Sequence, residues 1–483
     1  MSIKRNLNSS NYSDIVEKFL YLEEKFSMFD IKIDNFQVWG YLRSSVFVAA
    51  TEVNIDLSNK TLSKKLINIV PFFKIFFLFL VSFLFSFKVK KVDLLLLPFY
   101  RKVFDERRNN FICKYTYFID DIDQFSSFSL KSLSDYDFND IIKSSTCRYV
   151  YKKLIFNKIF NLKKINITKD ENYIYLINKV NLILDNFNIC EKDKYLIYIE
   201  KQLNDFLLFN KKKYNLYEDI LKELQPKVII EVSKTRKECC LFNYVAKKMG
   251  IKSIELQHGL FGKQEIAYNF LYKHDINIFP DIFFTFGEYW TNNCRLGIYD
   301  CNKISIGFNY LNDYKIKEKK INDNRKIILF ISEDITGKNL SKLACDLYKN
   351  IDLNKYKIIY KLHPNEFYIW KQEYPELVDL KIEVVDSVYS DLYYYFYIST
   401  YQVGVYSTAL YEGIKFGLKT YLLYDKDYSV FSFPLNEFSN AKFINNYQEL
   451  IFNIDENKNL INSELFWAND SINKFNQEIN KII

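Results

Sequence analysis

Three glycine-rich signatures are missing from this sequence of 483 residues. It contains no G-x-G-x-x-G and no G-x-x-x-x-G-K-[ST], which argues against a nicotinamide-dependent dehydrogenase and against a P-loop ATPase. It also contains no G-x-S-x-G elbow, which argues against an α/β-hydrolase. Three common classes of enzyme are therefore disfavoured from the start.

Metal-ligand clusters and disulfide spacings are missing as well. The eight cysteines include no C-x-x-C pair, and a secreted disulfide framework normally belongs to a much shorter chain. A zinc site needs clustered ligands, so we expect no bound metal and interpret the cysteines as reduced residues of a cytoplasmic protein. The N-terminus, MSIKRNLNSSNYSDIVEKF, lacks the apolar core of a signal peptide.

The formal net charge is +8, but no long Lys/Arg tract accounts for it. A basic balance favours anionic lipids, nucleic acids or small anionic substrates. No nucleic-acid motif accompanies the charge, so we expect no nucleic-acid partner.

One apolar segment is conspicuous at residues 67–87, INIVPFFKIFFLFLVSFLFSF. Its part beyond Lys74 is shorter than the roughly 20 apolar residues that a membrane-spanning helix requires. Lysines lie on both sides, among them Lys64 and Lys88. These flanks favour a helix lying at an anionic membrane surface over the alternatives, a buried core helix and a true span.

Strand and helix patterns alternate along the chain in two blocks. The run KVDLLLLPF at 91–99 is typical of a strand buried on both faces of a parallel sheet. Further strands are predicted, one of them short and within 115–123, and the others at 227–232, 252–256, 281–287, 302–307, 326–332, 356–364, 381–386, 402–407 and 419–424. Such alternation predicts parallel βαβ units.

The predicted fold class is α/β, with two Rossmann-like domains facing a cleft and a helical N-terminal extension. The predicted divisions are the extension at 1–90, a first domain at 91–311 with a helical insertion at 150–225, a polar linker at 312–325, a second domain at 326–445, and terminal helices at 446–483 that pack back on the first domain.

Histidine is rare in this chain, and two of its three histidines follow predicted strands. His258 lies between Gln257 and Gly259 directly after the strand at 252–256. Ligands of open α/β sheets collect outside the carboxyl ends of the strands, and a histidine there can exchange a proton near neutral pH. We predict that these three residues line the cleft, with a purely structural histidine as the alternative.

His363 follows a strand of the second block, in the phrase YKLHPNE. Pro364 restricts the backbone beside it, and Lys361 lies two residues earlier on the same strand face. Both cationic side chains are candidates for a phosphate site, with a turn histidine as the alternative.

The phrase GVYSTALYEG at 404–413 leads from a strand into a helix. Ser407 and Thr408 stand at the helix N-terminus, where free N–H groups and the helix dipole favour an anion. Glu412 lies one turn later, on the same side as Thr408, and could accept ribose hydroxyls. The alternative is helix capping alone.

Other carboxylates are weaker candidates. Glu333 follows the first strand of the second block, and Glu265 lies seven residues beyond His258, so both are possible bases. Glu231 ends the strand at 227–232. For each, a capping or solvated carboxylate is the competing interpretation. Asp121 and Asp123 form a D-x-D spacing without a matching pattern, and we assign them no metal.

The order Q-H-G at 257–259, K-L-H-P at 361–364 and Y-S-T-A-L-Y-E-G at 406–413 resembles GT-B enzymes of bacterial capsule, lipopolysaccharide and teichoic-acid synthesis. The resemblance covers about residues 90–460 and does not include the N-terminal extension. It implies that His363, Ser407 and Thr408 bind donor phosphate and Glu412 the ribose. His258 would lie near the acceptor, and catalysis would need no metal or cofactor.

The expected function is a glycosyltransferase that moves a sugar from a nucleotide-sugar to a growing surface polysaccharide or lipid-linked glycan (capsule, O-antigen or lipopolysaccharide). We expect it in the cytoplasm, peripheral at the inner face of the cell membrane. Two alternatives remain open, a CDP-polyol phosphotransferase of the teichoic-acid type and a non-catalytic polysaccharide-assembly protein.

Overall fold

Two parallel sheets of six strands each form the framework of the protein. A computed structural model describes residues 12–51, 75, 77–82, 89–99, 103–105, 110–132, 135–136, 138–160, 166–297, 302–314, 323–438, 441–454 and 463–483. The strands are β1 Leu94–Leu97, β2 Val103–Asp105, β3 Asn110–Ile112, β4 Ser127–Ser129, β5 Val228–Val232, β6 Lys252–Leu256, β7 Ile282–Thr285, β8 Asn302–Ser305, β9 Lys326–Ile331, β10 Tyr356–Lys361, β11 Glu383–Val385, β12 Tyr401–Gly404, β13 Lys419–Leu423 and β14 Lys442–Ile444.

Helices cover the sheets and connect their strands. The α-helices are α1 Tyr12–Lys25, α2 Trp39–Ala50, α3 Phe138–Lys143, α4 Ser145–Phe160, α5 Glu171–Asn186, α6 Lys192–Leu224, α7 Lys237–Lys248, α8 Glu288–Asn293, α9 Asn309–Asn312, α10 Gly337–Asn350, α11 Trp370–Glu373, α12 Pro375–Asp379, α13 Leu392–Ile398, α14 Thr408–Lys415, α15 Phe433–Phe438, α16 Tyr447–Asn453 and α17 Ser471–Ile482. Short 3-10 helices lie at Met28–Asp30, Tyr117–Asp121, Ile266–Tyr268, Pro364–Glu366, Ser429–Phe431 and Ser463–Leu465.

The first sheet has the strand order β4-β1-β5-β6-β7-β8. Its central strands are buried on both faces, and all four leucines of β1 are inaccessible or nearly so. Burying each of those side chains contributes about 1.5–3 kcal/mol, which explains why the apolar run predicts this strand well. The order reverses between β1 and β5, and such a reversal opens a crevice at the carboxyl ends of the strands.

The second sheet has the order β11-β10-β9-β12-β13-β14, and its neighbouring strands are all parallel. This is the doubly wound order of dinucleotide-binding folds, with its reversal between β9 and β12. The predicted α/β class with two Rossmann-like units is therefore confirmed.

The predicted strand within 115–123 is wrong. Residues Tyr117–Asp121 form a 3-10 helix instead. The backbone N–H groups of Thr116 and Tyr117 donate to the carbonyl of Cys113 at 3.1 and 3.0 Å, which closes a turn. Tyr117, Phe118 and Ile119 are consecutive and all buried, which the alternating faces of a half-exposed strand do not allow.

The N-terminal helices α1 and α2 pack on the first domain. Arg43 and Glu23 form a buried two-contact ion pair, with Nε–Oε1 and Nη2–Oε2 distances of 2.7 Å. Arg43 also donates to the carbonyls of Ile266 and Asn269. The extension therefore holds the loop that follows β6.

The C-terminal part of the chain contacts both domains. The indole N–H of Trp467 donates to the carbonyl of Tyr411 at 2.7 Å, and that of Trp290 donates to Phe466 at 2.8 Å. Farther on, Phe475 of α17 packs edge-on against Phe118 and Phe284 of the first domain. By contrast, α16 packs against α10 within the second domain.

The apolar segment at 67–87 lies largely outside the described residues. Its described part, residues 75 and 77–82, is helical. Leu78 and Val81 are buried against α3 and α4, whereas Phe77 is 55% and Leu80 49% exposed. Among the described residues, no helix is long and apolar enough to cross a membrane.

Candidate functional site

The loop after β6 places His258 at the carboxyl edge of the first sheet. Gln257 is buried and joins three chain segments: its N–H donates to Phe284, its Oε1 accepts from the N–H of Phe286, and its Nε2 donates to Gly259, each at 2.8 Å. Gln257 thus shapes the turn. Open space surrounds the position where Gly259 would carry a Cβ, which leaves room for a ligand.

His258 lies among aromatic rings and one carboxylate. Its Nδ1 is 3.7 Å from Oε1 of Glu255, and its side chain is 20% exposed. The ring centroid of Phe99, which follows β1, is 5.5 Å away. Tyr115 donates its hydroxyl to the His258 carbonyl at 2.8 Å. The loop is therefore held from both sides of the crevice.

A cavity of about 440 Å³ opens beside His258 and is bounded by both domains. His258, Gly259 and Glu265 form one wall, Tyr406 and Phe431 of the second domain another, and Ser44 of α2 contributes to the rim. The structure therefore brings two of the three predicted candidates for acid–base chemistry, His258 and Glu265, into one space. This cavity is large enough for a small ligand.

Glu265 is the N-cap residue of the 3-10 helix at Ile266–Tyr268. Its carboxylate accepts a hydrogen bond from the N–H of Ala267 at 3.3 Å. Burial raises the pKa of Glu265, and the hydrogen bond and Lys234 only partly oppose that effect. Glu265 is therefore both a capping residue and a carboxyl group that takes up a proton more readily than usual.

Two buried glutamates lie side by side beneath the loop. Glu231 of β5 and Glu255 of β6 are partners in the parallel register, and both are inaccessible. Burial raises the pKa of each carboxyl. Glu231 accepts from Asn243 at 3.0 Å, whereas Glu255 accepts from the Tyr268 hydroxyl at 2.6 Å.

Glu255 was not among the predicted site residues. The available signal was a charged residue inside the apolar strand KSIEL, three positions before His258. A buried carboxylate needs partners, so its presence in such a strand indicates a polar network.

In the second domain, three candidates follow neighbouring strands at the carboxyl edge. Glu333 comes after β9, His363 after β10 and Ser407 after β12. The His363 Nε2 lies 3.8 Å from Oε2 of Glu333. These residues flank the β9/β12 reversal, where ligands of doubly wound sheets bind.

The backbone at His363 is held by a residue that the motif analysis missed. Glu366 is inaccessible and accepts from the His363 N–H at 2.6 Å, from Ser332 at 2.8 Å and from Tyr374 at 2.7 Å. His363 Nδ1 in turn accepts from the N–H of Asn365 at 3.2 Å. The H-P-x-E spacing is that of a capping box, and this signal could have identified Glu366.

Lys361 is only 9% exposed. Burial lowers its pKa to about 8, although Asp386 and Glu366 oppose the shift. Its ammonium lies 5.3 Å from the centre of the Phe367 ring. Lys361 therefore sits beneath the strand end rather than at its surface.

Ser407 is the N-cap residue of α14, and its hydroxyl accepts a hydrogen bond from the N–H of Ala409 at 3.2 Å. Thr408 is the first residue of that helix. Glu412 is buried and pairs with Lys114 of the first domain at 3.3 Å. The structure therefore shows Ser407 as a helix cap and Glu412 as part of an interdomain ion pair.

Tyr406 is the second-domain residue that links these groups. Its ring stacks on Tyr428 at 5.1 Å, and it lines the cavity beside His258. Burial, and then the charge of Glu333, raise the pKa of its hydroxyl. No group of three or more His, Cys, Asp or Glu side chains in the described part of the chain is arranged to hold a metal ion.

No family model and no curated protein matches this sequence. Among solved structures, UDP-GlcNAc 2-epimerase from Neisseria meningitidis bound to UDP-GlcNAc has 11% identity and a TM-score of 0.44, covering 80% of this chain and 93% of that one. The UDP-GlcNAc 2-epimerase from Methanocaldococcus jannaschii has 16% identity and a TM-score of 0.43, covering 57% and 82%. The glycotransferase of kitacinnamycin has 11% identity and a TM-score of 0.35, covering 58% and 78%. The two-domain architecture stated above rests on the strand order of this chain itself.

Proposed function

We propose that the protein is a glycosyltransferase that moves a sugar from a nucleotide-sugar donor to a surface polysaccharide or lipid-linked glycan. The observation that carries the proposal is the interdomain cavity, in which His258 and Glu265 face Tyr406 across the cleft. A site bounded by two domains can hold donor and acceptor together and exclude water when the domains close, so that transfer competes with hydrolysis.

The donor side of the proposal is the carboxyl edge of the second sheet. A leaving nucleotide carries negative charge on its phosphate. His363 and the N-terminus of α14 at Thr408 supply a cationic or N–H environment for that charge, and they are positioned before the reaction begins. Nδ1 of His363 accepts from the N–H of Asn365, so Nε2 is the nitrogen that carries a donor proton, and Oε2 of Glu333 lies 3.8 Å from it.

The acceptor side is the cavity wall of the first domain. His258 and Glu265 are the candidates for the base that deprotonates an acceptor hydroxyl. His258 contacts Glu255 and Tyr115, so we assign it the base role and Glu265 a hydrogen-bonding role toward the acceptor. We propose no metal for this reaction, and transfer should persist in a chelator.

The test of this function is a thermal-shift series with CMP, UDP, GDP and CDP on the full chain. A nucleotide present at about 100 times its Kd stabilises the folded protein by about 2.7 kcal/mol. His363→Ala should abolish most of this shift. His274→Ala is the matched control, because His274 pairs with Glu24 at 2.8 Å in the first domain. Equal nucleotide shifts in both variants would remove the donor-site assignment.

The product separates glycosyl transfer from polyol-phosphate transfer. Mass spectrometry of the modified acceptor shows a sugar increment for the proposed reaction and a polyol-phosphate increment for the phosphotransferase. Stabilisation by CDP alone, followed by the second increment, would replace the proposed function with that alternative.

We further propose that the enzyme works at the inner face of the cell membrane, on a capsule, O-antigen or lipopolysaccharide acceptor. Support comes from the exposed apolar side chains of Phe77 and Leu80, and of Phe156 and Ile159 on the adjacent helix α4. Lys158, also exposed, adds a positive charge among them. Apolar side chains with a flanking cation suit an anionic headgroup region.

A further inference from the structure

His258 has a carboxylate behind it as well as a cavity in front of it. The Nδ1 atom lies 3.7 Å from Oε1 of Glu255, and Glu255 is inaccessible to solvent. The two nitrogens of an imidazole point in different directions. With Nδ1 toward Glu255, Nε2 points away from that carboxylate, and His258 lines the cavity.

The Glu255 carboxylate is itself fixed in place. The hydroxyl of Tyr268 donates to its Oε1 at 2.6 Å, and the backbone N–H of Lys234 donates to the same oxygen at 3.1 Å. The 3.7 Å contact of His258 Nδ1 is to this same Oε1, so the imidazole approaches the side of the carboxylate that Tyr268 and Lys234 hold in place.

We propose that Glu255 is the positioning residue for His258, holding Nδ1–H toward the sheet and directing Nε2 at the acceptor hydroxyl. The inference rests on the proposed glycosyl transfer and deepens it. A base oriented by a third group is a general arrangement for activating a hydroxyl nucleophile. Contacts that are slightly long without substrate commonly tighten when it binds.

The transfer forms one bond and breaks one. The acceptor oxygen forms a bond to the anomeric carbon of the donor sugar, and its proton passes to Nε2 of His258. The bond between the anomeric carbon and the phosphate oxygen breaks, and that oxygen leaves with the electron pair. The imidazolium, stabilised by the Glu255 carboxylate, later returns its proton to solvent.

The neighbouring strand offers a matched control. Glu231 is the register partner of Glu255 and is equally inaccessible to solvent. Its carboxylate accepts a hydrogen bond from Asn243, whereas His258 lies beside Glu255. Glu231→Gln and Glu255→Gln therefore make the same chemical change at the same depth. Only the second removes the charge beside His258.

The first experiment needs no substrate. Diethyl pyrocarbonate modifies unprotonated imidazole, and peptide mass spectrometry of the full chain follows its three histidines separately across a pH series. Among the described residues, titratable groups that face His258 or share its cavity include Glu255, Tyr268, Tyr115, Glu265 and Tyr406.

We expect Glu255→Gln to move the midpoint of His258 modification down by about one pH unit or more, because a charged neighbour at this distance favours the imidazolium. Glu231→Gln should leave that midpoint in place. Tyr268→Phe keeps the ring but removes a donor to the carboxylate, so the midpoint should move up. Equal midpoints for His258 in the wild-type protein and in both Glu255→Gln and Tyr268→Phe would overturn the proposal.

The second experiment measures turnover of the nucleotide-sugar whose nucleotide stabilises the wild-type protein. Glu255→Gln should lower kcat at least about tenfold with little change in the donor KM. In a His258→Ala background the same substitution should cost almost nothing further, because Glu255 acts through His258. A loss confined to KM, or full additivity, would refute the positioning role. A moved midpoint without any nucleotide binding would support the Glu255–His258 pairing and overturn the glycosyltransferase proposal.

Discussion

The ammonium of Lys114, in the first domain, lies 3.3 Å from Oε1 of Glu412 in the second. The Glu412 side chain is 3% exposed and that of Lys114 22%. Burial alone would lower the pKa of Lys114, but the charges of Glu412 and Tyr115 outweigh it and raise the pKa overall. Glu412 is the residue for which the sequence predicts a ribose contact, so a donor bound as predicted would share or replace this interdomain pair.

We predict that the Lys114–Glu412 pair couples the two domains. Lys114→Met leaves a buried carboxylate without its counter-ion, which costs about 3–5 kcal/mol if the carboxylate stays buried. The double variant with Glu412→Gln should recover most of the loss. Urea unfolding of the four proteins gives the coupling energy.

The control cycle uses Lys131 and Asp140, which pair at 2.7 Å with side chains 36% and 19% exposed. Their coupling should be about 1 kcal/mol or less. A Lys114–Glu412 coupling no larger than this would show that the interdomain pair does not hold the domains together.

Glu23→Ala should destabilise the first domain strongly. It leaves Arg43 buried without a counter-ion, at a cost of about 3–5 kcal/mol. Urea unfolding measures the change. Glu17→Ala is the control, since its pair with Arg295 is solvent-exposed and should contribute about 1 kcal/mol or less. Similar losses in the two variants would argue against a special role for the buried pair.

Glu231→Gln should change how stability depends on pH. Burial raises the pKa of Glu231 in the folded protein, with the Glu255 charge adding to the effect. A carboxyl with a raised folded pKa is stabilising below its unfolded pKa, and that contribution is lost as the pH rises through the folded pKa. The free energy of unfolding of the variant should therefore rise relative to that of the wild-type protein as the pH increases from mildly acidic to neutral.

Urea midpoints at several pH values between about 5 and about 8 test this expectation. Glu191→Gln provides the comparison, because Glu191 is 58% exposed. Its stability difference from the wild-type protein should stay constant across the series. A constant difference for Glu231→Gln as well would contradict the assigned direction.

The apolar face of residues 77–82 should contribute to membrane binding. We expect a Phe77→Asp, Leu80→Asp double variant to bind vesicles of phosphatidylglycerol and phosphatidylcholine at least about tenfold more weakly, since burying each side chain is worth about 1.5–3 kcal/mol. Phe452→Asp is the control, because Phe452 is 82% exposed on α16 of the second domain. Co-sedimentation measures both, and equal binding by all three proteins would exclude this surface.

Several elements could be predicted from local pattern alone. β1 and β5 were predicted because strands buried on both faces of a parallel sheet need an unbroken apolar run. His258 and His363 were singled out because they follow such strands, and carboxyl ends of strands are where α/β folds bind ligands. The roles assigned to these two histidines stay predictions until the variants are measured.

Other features depend on contacts between distant parts of the chain. Neither the role of Glu255 nor the burial of Lys361 follows from spacing, because each depends on what packs around the strand end. Residues 77–82 likewise divide into a buried and an exposed face only where α3 and α4 meet them.

The sequence by itself determined the α/β class, the positions of most strands and the clustering of polar residues at strand ends, since periodicity and burial are local properties. The strand orders, the shared cavity of His258 and Tyr406, and the pairing of Lys114 with Glu412 were decided only in the tertiary structure. Lys114 and Glu412 are 298 residues apart, and no local pattern encodes which cation will reach a buried carboxylate once the two domains face each other.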